Sequence, residues 1–584
     1  MLIAYRSVPM VRLFRFLKPY LGYVSITVAL LLIQAVSELS LPSIMADIVD
    51  RGVRGGVDGV IFLSGAKMAA MTVIGVIASV GVGFAASRTS AGFTRDLRQS
   101  LFERVQSFSL AEFDSLSTAS LLTRTTNDVT HLQHIVSMFL RMLLFAPVMG
   151  FGSLVMAIRT SYSMSWILAL AVFLVSLMVV VMVVVAMPRF KLIQGLVDRL
   201  NLIGREHLDG IMVIRAYGAE SFEMNRFDEA NSELTAVNLF VNRMMSALHP
   251  SLTLVMNGCS LLIVWIGSKH VAASSLEVGQ MMAYLQYAMH VIMSFLMISM
   301  MFIMIPRAAV SAKRISEVLA VDPSITDPEK PEALEASAGS VEFRGVSFKY
   351  EGAEDDALCD VSFSMSPGET VALVGPTGAG KSTLANLIPR FYDASGGSVL
   401  VGGKDVRALS LAELRSRIGF CHQKAALFSG SIADNIRYGN QNADEAGIEA
   451  AASTAQALDF ISELEGGFES RVAEGGSNLS GGQRQRIAIA RALARNPDLY
   501  VFDDSFSALD GRTDARLRAA LKKRTKSASV LVVSQKIETV KHADRIIVLD
   551  DGRIAGSGTH EELLLLCPLY KQLAESQNAA EVRS

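Results

Sequence analysis

The segment that decides the fold reads Gly375-Pro376-Thr377-Gly378-Ala379-Gly380-Lys381-Ser382-Thr383 and follows the apolar run 371–374, which is typical of a β-strand. It fits the phosphate-loop pattern GxxxxGK[ST]. Its glycines let backbone N–H groups curl around phosphate oxygens, and the following helix points its positive end at them. In this pattern Lys381 reaches the β and γ phosphates and Ser382 is a ligand for Mg²⁺. The segment therefore predicts a nucleotide-binding site.

Other short β-rich runs, at 499–502 and 530–533, alternate with helical patterns around this loop. Such alternation indicates a largely parallel sheet with helices, and ligands gather at the carboxyl ends of its strands. The run at 499–502 ends in Asp503 and Asp504. We therefore expect Asp503 to stand on the metal side of the nucleotide, since its carboxylate follows a buried strand.

The rest of the chain has a different composition. It is 584 residues long, 51% hydrophobic, with a mean hydropathy of +0.37, so at least two domains are expected and one of them lies in lipid. A bilayer crossing needs about 20 apolar residues. Six stretches are long enough, near 21–45, 60–86, 141–158, 164–187, 248–268 and 278–305. The first is too long for a cleaved signal peptide and predicts a retained span.

The connections between these spans are unequal. Segments 88–135 and 189–245 are long, polar, rich in arginine and helix-like. Basic residues favour the cytoplasmic side, so both termini are expected to be cytoplasmic, in the cell membrane. We predict a transmembrane domain over 1–320, a linker over 321–338 and a nucleotide-binding domain over 339–584.

Whole-chain charge and cysteine content point to no further chemistry. The net charge is -2, and no basic block indicates nucleic acid. Cys259, Cys359, Cys421 and Cys567 are far apart and show no CxxC spacing. The cysteines therefore favour ordinary buried thiols over a zinc site or a disulfide framework.

A second motif precedes the apolar-periodic segment 487–494 and consists of Leu479, Ser480, Gly481, Gly482 and Gln483. Here the chain resembles the ATP-binding cassette family. The resemblance implies ATP and Mg²⁺ as ligands. It also implies that Ser480 and the glycine amides bind the γ-phosphate held by the opposite subunit, so that two cassettes meet head to tail.

Further matches follow in the family's order. The resemblance implies that Tyr350 stacks on adenine and that Gln423 links the metal site to the membrane domain, and it extends to Glu474-Gly475-Gly476 and Asp510. The membrane part resembles the exporter branch, in which segments containing Phe113-Asp114 and 210–218 act as coupling levers. The expected fold is a membrane all-α, six-helix exporter-type transmembrane domain plus an α/β P-loop ATPase domain.

Two positions depart from the family. Asp504 replaces the usual glutamate that polarises the attacking water, and Gln535 replaces the switch histidine. A carboxylate displaced by about 1 Å loses on the order of a hundredfold in rate, and glutamine carries no titrating proton. The pair predicts a degenerate site, as in heterodimeric bacterial multidrug exporters, with the signature motif serving a partner half-transporter.

The transported compound is less defined. Methionines crowd the last span, at Met281, Met282, Met289, Met293, Met297, Met300, Met301 and Met304, near Gln286 and His290. Flexible thioethers suit a cavity for small lipophilic substrates, but lipid-facing or interhelical packing is the better account of most of these methionines. Glu38, within the first span, either meets cationic substrates or lies near the headgroups, because charges inside spans are costly.

Other functions remain open at this stage. One is a homodimeric lipid or peptide exporter with two slow sites; another is an ATP-gated channel or regulator that does not transport; a third is an importer on the exporter architecture. The apolar spans exclude a soluble cassette protein acting in translation or DNA repair.

Overall fold

A computed structural model describes residues 13–334, 339–525 and 527–581. It does not describe the side chains at 191, 300–307 and 578–581. The expectations for both chain termini, for linker residues 335–338 and for the side chains of Met300, Met301 and Met304 therefore lie outside the described part.

The chain divides into two compact units. The first runs to Gln106 and continues over Thr118–Val321; the second contains Ser107–Ser117 and everything from Asp322 onward. The first of the expected coupling levers, around Phe113-Asp114, thus belongs to the second unit. The second lever, residues 210–218, stays in the first.

Long apolar helices build the first unit. Its helices are α1 Leu21–Asp47, α2 Asp58–Gln106, α4 Thr118–Thr123, α5 Val129–Met138, α6 Phe145–Thr160, α7 Ser165–Asp209, α8 Ile211–Tyr217, α9 Glu220–Ala272 and α10 Val278–Ala320, while α3 Leu110–Leu116 lies in the second unit. Within the described residues, six stretches are long and apolar enough to cross a membrane. The predicted six-helix membrane domain is confirmed.

Two features order this helical unit. A buried cluster includes Tyr284 and Tyr287 of α10 with Ile263 of α9. The carboxylate of Asp50 accepts hydrogen bonds from the first backbone N–H groups of α10, at 2.6 Å from Gly279 and 3.1 Å from Gln280. These are donors that a helix start leaves unpaired, so Asp50 caps α10.

Within its described residues, the second unit carries three sheets. Their strands are β1 Val341–Phe348, β2 Leu358–Met365, β3 Thr370–Val374, β4 Gly396–Val401, β5 Lys404–Asp405, β6 Ile418–Cys421, β7 Gly430–Ser431, β8 Arg471–Val472, β9 Leu499–Asp503, β10 Ser529–Val533, β11 Arg545–Asp550 and β12 Arg553–Gly558. The sheet orders are β2-β1-β4-β5, β12-β11-β3-β10-β9-β6 and β7-β8. In the six-stranded sheet β11, β3, β10, β9 and β6 are parallel.

Helices connect and cover these strands. They are α11 Lys381–Leu387, α12 Leu411–Ser416, α13 Ile432–Arg437, α14 Glu445–Thr454, α15 Leu458–Glu463, α16 Gly481–Ala494, α17 Gly511–Arg524, α18 Ile537–Val540, α19 His560–Leu566 and α20 Pro568–Glu581. The α/β character of the domain is confirmed. The antiparallel sheet around β1 was not predicted: β1 pairs with the next strand, β2, and also with β4, which follows only after β3 and α11.

The parallel sheet explains where a site forms. Strands β3, β10, β9 and β6 lie side by side, and each ends at the same edge. The segments that leave this edge carry the phosphate loop, Gln535, Asp503-Asp504 and Gln423. The parallel strands therefore bring residues from four distant stretches of chain together at one edge of the sheet.

Candidate nucleotide-binding site

The phosphate loop lies between β3 and α11. Gly380 caps the start of α11 with a φ of +91°, a conformation that favours glycine. A Cβ atom there would lie 2.6 Å from the carbonyl oxygen of Ala357. Around Gly378, by contrast, a Cβ would meet no atom within 4 Å. The loop is thus packed at its helix end and leaves room for a phosphate chain beside Gly378.

Lys381 opens α11 and folds back over the loop. Its Nζ donates hydrogen bonds to the carbonyl oxygens of Gly375 (2.9 Å) and Pro376 (2.7 Å). Burial lowers the pKa of this ammonium group, and the nearby carboxylates of Asp504 and Asp503 oppose that shift. The loop therefore holds a positive charge beside its own backbone.

Ser382 and Asp503 meet next to this lysine. The hydroxyl of Ser382 donates to Oδ1 of Asp503 over 2.9 Å. Burial at the end of β9 raises the pKa of Asp503, as does the charge of Asp504, while Ser382 and Lys381 lower it. Oxygen ligands of this kind suit Mg²⁺, which also takes phosphate oxygens and water. The oxygen atoms of this pair therefore fit Mg²⁺ that a nucleotide would bring with it.

Asp504 follows immediately and has a strained backbone, with a φ of +44°. Its N–H donates to the carbonyl of Val533 at 2.9 Å, and its own carbonyl accepts from the Ser507 hydroxyl at 2.9 Å. Nε2 of Gln423 lies 3.4 Å from its Oδ2. Burial raises the pKa of Asp504, against the effects of Gln423 and Lys381. Backbone contacts on both sides therefore fix where this short carboxylate stands.

Gln535 completes the edge from β10. Its side-chain oxygen accepts a hydrogen bond from the Thr377 hydroxyl at 3.4 Å, and its backbone carbonyl accepts from Nε2 of Gln577 at 2.7 Å. The structure thus brings Gln535 to the phosphate loop.

Tyr350 lies at the helix side of the loop. Its hydroxyl is 3.0 Å from Oγ1 of Thr383, and its ring packs edge-on against Tyr392 with centroids 5.5 Å apart. Tyr350 also meets Phe348 edge-on. This aromatic group is therefore anchored next to α11, where a base would extend from the loop.

The segment from Leu479 to Gln483 stands apart from these residues. Ser480 caps α16, accepting from the N–H of Gln483 at 3.3 Å while Oε1 of Gln483 accepts from the N–H of Ser480 at 2.8 Å. Leu479 is buried, whereas Ser480 and Gly481 are exposed. The apolar face of α16 belongs to a different hydrophobic cluster from that of α11. The capping box uses the N–H groups of Ser480 and Gln483, and the exposed start of α16 at Ser480 and Gly481 faces solvent.

Sequence reasoning missed the anchor of helix α3. The hydroxyl of Tyr392 donates to Oδ2 of Asp114 at 2.9 Å. The buried Glu112 carboxylate accepts from the N–H of Ser109 (2.6 Å) and of Ser324 (3.1 Å). These bonds outweigh burial and lower the pKa of Glu112. Helix α3 is therefore held against residues beside Tyr350. No local sequence motif predicts the hydrogen bond between Tyr392 and Asp114, which are 278 positions apart.

Comparison with known proteins matches both parts of the chain. Residues 24–295 match the family profile described as ABC transporter transmembrane region, and residues 358–507 match the one described as ABC transporter. An uncharacterized ABC transporter ATP-binding protein of Mycobacterium tuberculosis is 39% identical over 96% of this chain and 97% of its own length.

Two more relatives carry a described activity or a solved fold. An ATP-dependent lipid A-core flippase of Pseudomonas fluorescens is 33% identical, covering 96% of this chain and 95% of that protein. The structure of a bacterial Atm1-family ABC exporter with ATP bound has a TM-score of 0.78 at 25% identity, covering 95% of this chain and 98% of that one.

Proposed function

The chain belongs to the ABC transporter family, as an ATP-driven exporter half-transporter, and we propose that it pairs with a different half-transporter and keeps its own phosphate-loop site for binding, not turnover. ABC exporters work as dimers in a lipid bilayer. What we propose is that the partner is a different chain and that ATP is hydrolysed mainly at the partner's phosphate loop.

One observation carries this proposal: Asp504 and Gln535 both lie beside the phosphate loop. Asp504 is one methylene shorter than the family's glutamate, and its neighbours Val533 and Ser507 restrain its backbone. A base that is about 1 Å too far from its water loses on the order of a hundredfold in rate. Gln535 bonds to Thr377 but carries no titrating proton. The replacement of both the glutamate and the histidine in one site favours a site that binds the nucleotide without hydrolysing it.

The remaining residues of this site support binding. Lys381 and the N–H groups at the start of α11 provide positive charge for the phosphates of ATP, and Tyr350 provides an aromatic face for the adenine. Ser382, Asp503 and Gln423 would hold Mg²⁺, partly through water. When bound, Mg²⁺ neutralises charge on the β and γ phosphates. In this scheme ATP at Lys381 mainly holds the two chains together.

The signature segment supports the partner's role. Its exposed helix start at Ser480 offers N–H groups to a γ-phosphate on another chain. Separately, helix α8 in the first unit exposes Met212 (77%) and Tyr217 (83%). Large apolar side chains left in solvent mark an interaction surface. Both features are consistent with a second subunit, whose phosphate loop would form the competent site with this signature.

For the substrate we propose small lipophilic compounds, moved outward across the cell membrane with both termini cytoplasmic. Arginine-rich connections support that orientation. A homodimeric lipid exporter is the second candidate, because a relative at 33% identity is an ATP-dependent lipid A-core flippase.

The test compares Mg-ATP hydrolysis by the chain purified alone in lipid nanodiscs with hydrolysis by the chain co-purified with the half-transporter that it captures from its own membranes. We expect the pair to turn over about a hundredfold faster, the usual contribution of a positioned general base. In the pair, Asp504→Asn should leave turnover nearly unchanged.

Equal turnover per chain without a partner, abolished by Asp504→Asn, would contradict the proposal. That result would make Asp504 and Gln535 working variants and the homodimer the better account. Nucleotide binding by the isolated chain, measured with a fluorescent ATP analogue, controls for misfolding.

A further inference from the structure

Two adjoining features of the membrane unit differ sharply in polarity. One is a polar row on α1, in which Nε2 of Gln34 donates to Oε1 of Glu38 at 3.0 Å. The residues are one helical turn apart, so both side chains lie on one face. Glu38 therefore has a neutral amide, and not a cation, as its hydrogen-bonded neighbour.

Arg141 faces the same Gln34 from another part of the unit. Both residues line a cavity of about 160 Å³, together with Ser79 and Gly83 of α2. Nη2 of Arg141 donates to the carbonyl of Gly83 and to the hydroxyl of Ser87, each at 2.8 Å. Both acceptors are neutral, so within the described part of the chain no carboxylate balances this guanidinium. Arg141 and Gln34 thus line one cavity, and Gln34 is in turn hydrogen-bonded to Glu38.

His290 of α10 extends the row. Tyr287, one helical turn before His290, donates its hydroxyl to the carbonyl of Leu39, the residue after Glu38, at 3.0 Å, so α10 packs against α1 there. Nδ1 of His290 is buried and has no hydrogen-bond partner in the described part of the structure. A buried polar atom without a partner is costly, which points to a ligand or water that completes it.

The residues just before Arg141 in the chain line an apolar cavity. Phe139 and Leu140, from the same π-helical turn Phe139–Leu143, line a second space of about 390 Å³. Phe93 and Val24 are among its other walls, and Lys18 is the charged exception among the described lining residues. Consecutive residues of one helical turn therefore line two different cavities, one with Arg141 and one that is mostly apolar.

Charges within spans are costly and face a cavity or a partner. Here Arg141 shares a cavity with Gln34, Gln34 is hydrogen-bonded to Glu38, and the two residues before Arg141 line an apolar cavity that could hold a tail. We propose that Arg141, Gln34, Glu38 and His290 bind the head of a zwitterionic amphiphile, with its anionic group on Arg141, its ammonium group toward Glu38 and its tail against Phe139 and Leu140. This inference rests on the proposed exporter function and names a substrate class for it.

The test measures binding and needs no ATP turnover. The full chain is placed in nanodiscs of phosphatidylglycerol, and fluorescence polarisation follows four probes with the same labelled tail. Their heads are phosphocholine on glycerol, a sulfobetaine without glycerol, phosphoglycerol and trimethylammonium. The two zwitterionic heads should bind about tenfold more tightly than either singly charged head, since each added charge-assisted hydrogen bond or ion contact is worth about that factor.

Variants separate the two charges. Arg141→Gln should weaken both zwitterions and the phosphoglycerol probe about tenfold and leave trimethylammonium unchanged. Glu38→Gln should weaken the zwitterions and trimethylammonium and leave phosphoglycerol unchanged. Arg159→Gln on α6 and Asp47→Asn on α1 are the matched controls and should change nothing. Arg141→Lys, which keeps the charge, should restore most of the affinity and excludes misfolding as the cause.

The outcomes are distinct. Binding of both zwitterions supports the proposal, and binding of the glycerophosphocholine probe alone supports it with a phospholipid as the source of the head. Equal affinity for a singly charged head, or no effect of Arg141→Gln and Glu38→Gln, would overturn it. Failure of the partner proposal would show in ATP hydrolysis and leave these affinities untouched.

Discussion

The phosphate-loop edge and the signature helix start differ in both chemistry and exposure. At the edge, Asp503 is buried among side chains of its own chain, and the family's glutamate and histidine are replaced by Asp504 and Gln535. The signature retains Ser480 and its glycines and exposes them. In a pair of cassettes each chain would contribute these two parts to different sites. Under our proposal, one part could therefore lose catalytic groups while the other stayed intact.

The strongest test of this comparison is Gly481→Asp in the assembled pair. A Cβ at Gly481 meets no atom within 4 Å, so the chain should fold normally. The added carboxylate would face a γ-phosphate at a helix start that favours anions. We expect ATP hydrolysis to fall by about a hundredfold or more, as when a transition-state donor is lost.

Gly481→Ala is the matched control for that experiment, with an expected change of less than about threefold because it adds no charge. Hydrolysis that survives Gly481→Asp would mean that this signature serves no competent site.

Restoring the missing groups should sharpen the contrast. In a complex whose partner phosphate loop has been disabled, Asp504→Glu with Gln535→His should raise ATP hydrolysis about tenfold or more, because a longer carboxylate and a titrating group return. Adding Lys381→Ala should remove the gain. Unchanged hydrolysis in the double variant would indicate that the backbone strain at Asp504, and not side-chain length, limits this site.

A small effect on turnover is expected for Lys381→Ala alone in the normal pair. Losing one charged contact should weaken nucleotide binding at this site about tenfold. Hydrolysis should change by only about threefold, because it occurs at the partner's loop. Equilibrium binding of a labelled ATP analogue and steady-state hydrolysis measure the two effects separately. A hundredfold loss of hydrolysis would show that the chain's own site turns over.

Sequence patterns sufficed to predict the parts of the fold that depend on one continuous segment of chain. The phosphate loop was visible because Gly375 to Thr383 is a continuous segment whose residue types meet one chemical need. The spans were visible because each must be apolar over its own length. That Asp503 stands beside Ser382 followed from the rule that parallel strands end at one edge. The antiparallel sheet and its register gave no such signal.

The contacts of Asp114 and Arg141 were not predictable in the same way. Asp114 was assigned to a coupling segment, but its partner Tyr392 is far away in sequence and has no motif of its own. Arg141 was not singled out, because one arginine at the start of an apolar run is also typical of a span end. Its hydrogen bonds to Gly83 and Ser87 depend on how two helices pack.

By itself, the sequence determined the family, the six spans, the α/β ATPase domain and the residue types available at the nucleotide site, because each depends on chemistry within a short stretch. Only the tertiary structure decided which groups meet: Gln535 at Thr377, Glu112 at Ser324, and Tyr287 at Leu39. Such meetings depend on the packing of whole helices and strands, whose relative positions are set by many weak contacts and by no single motif.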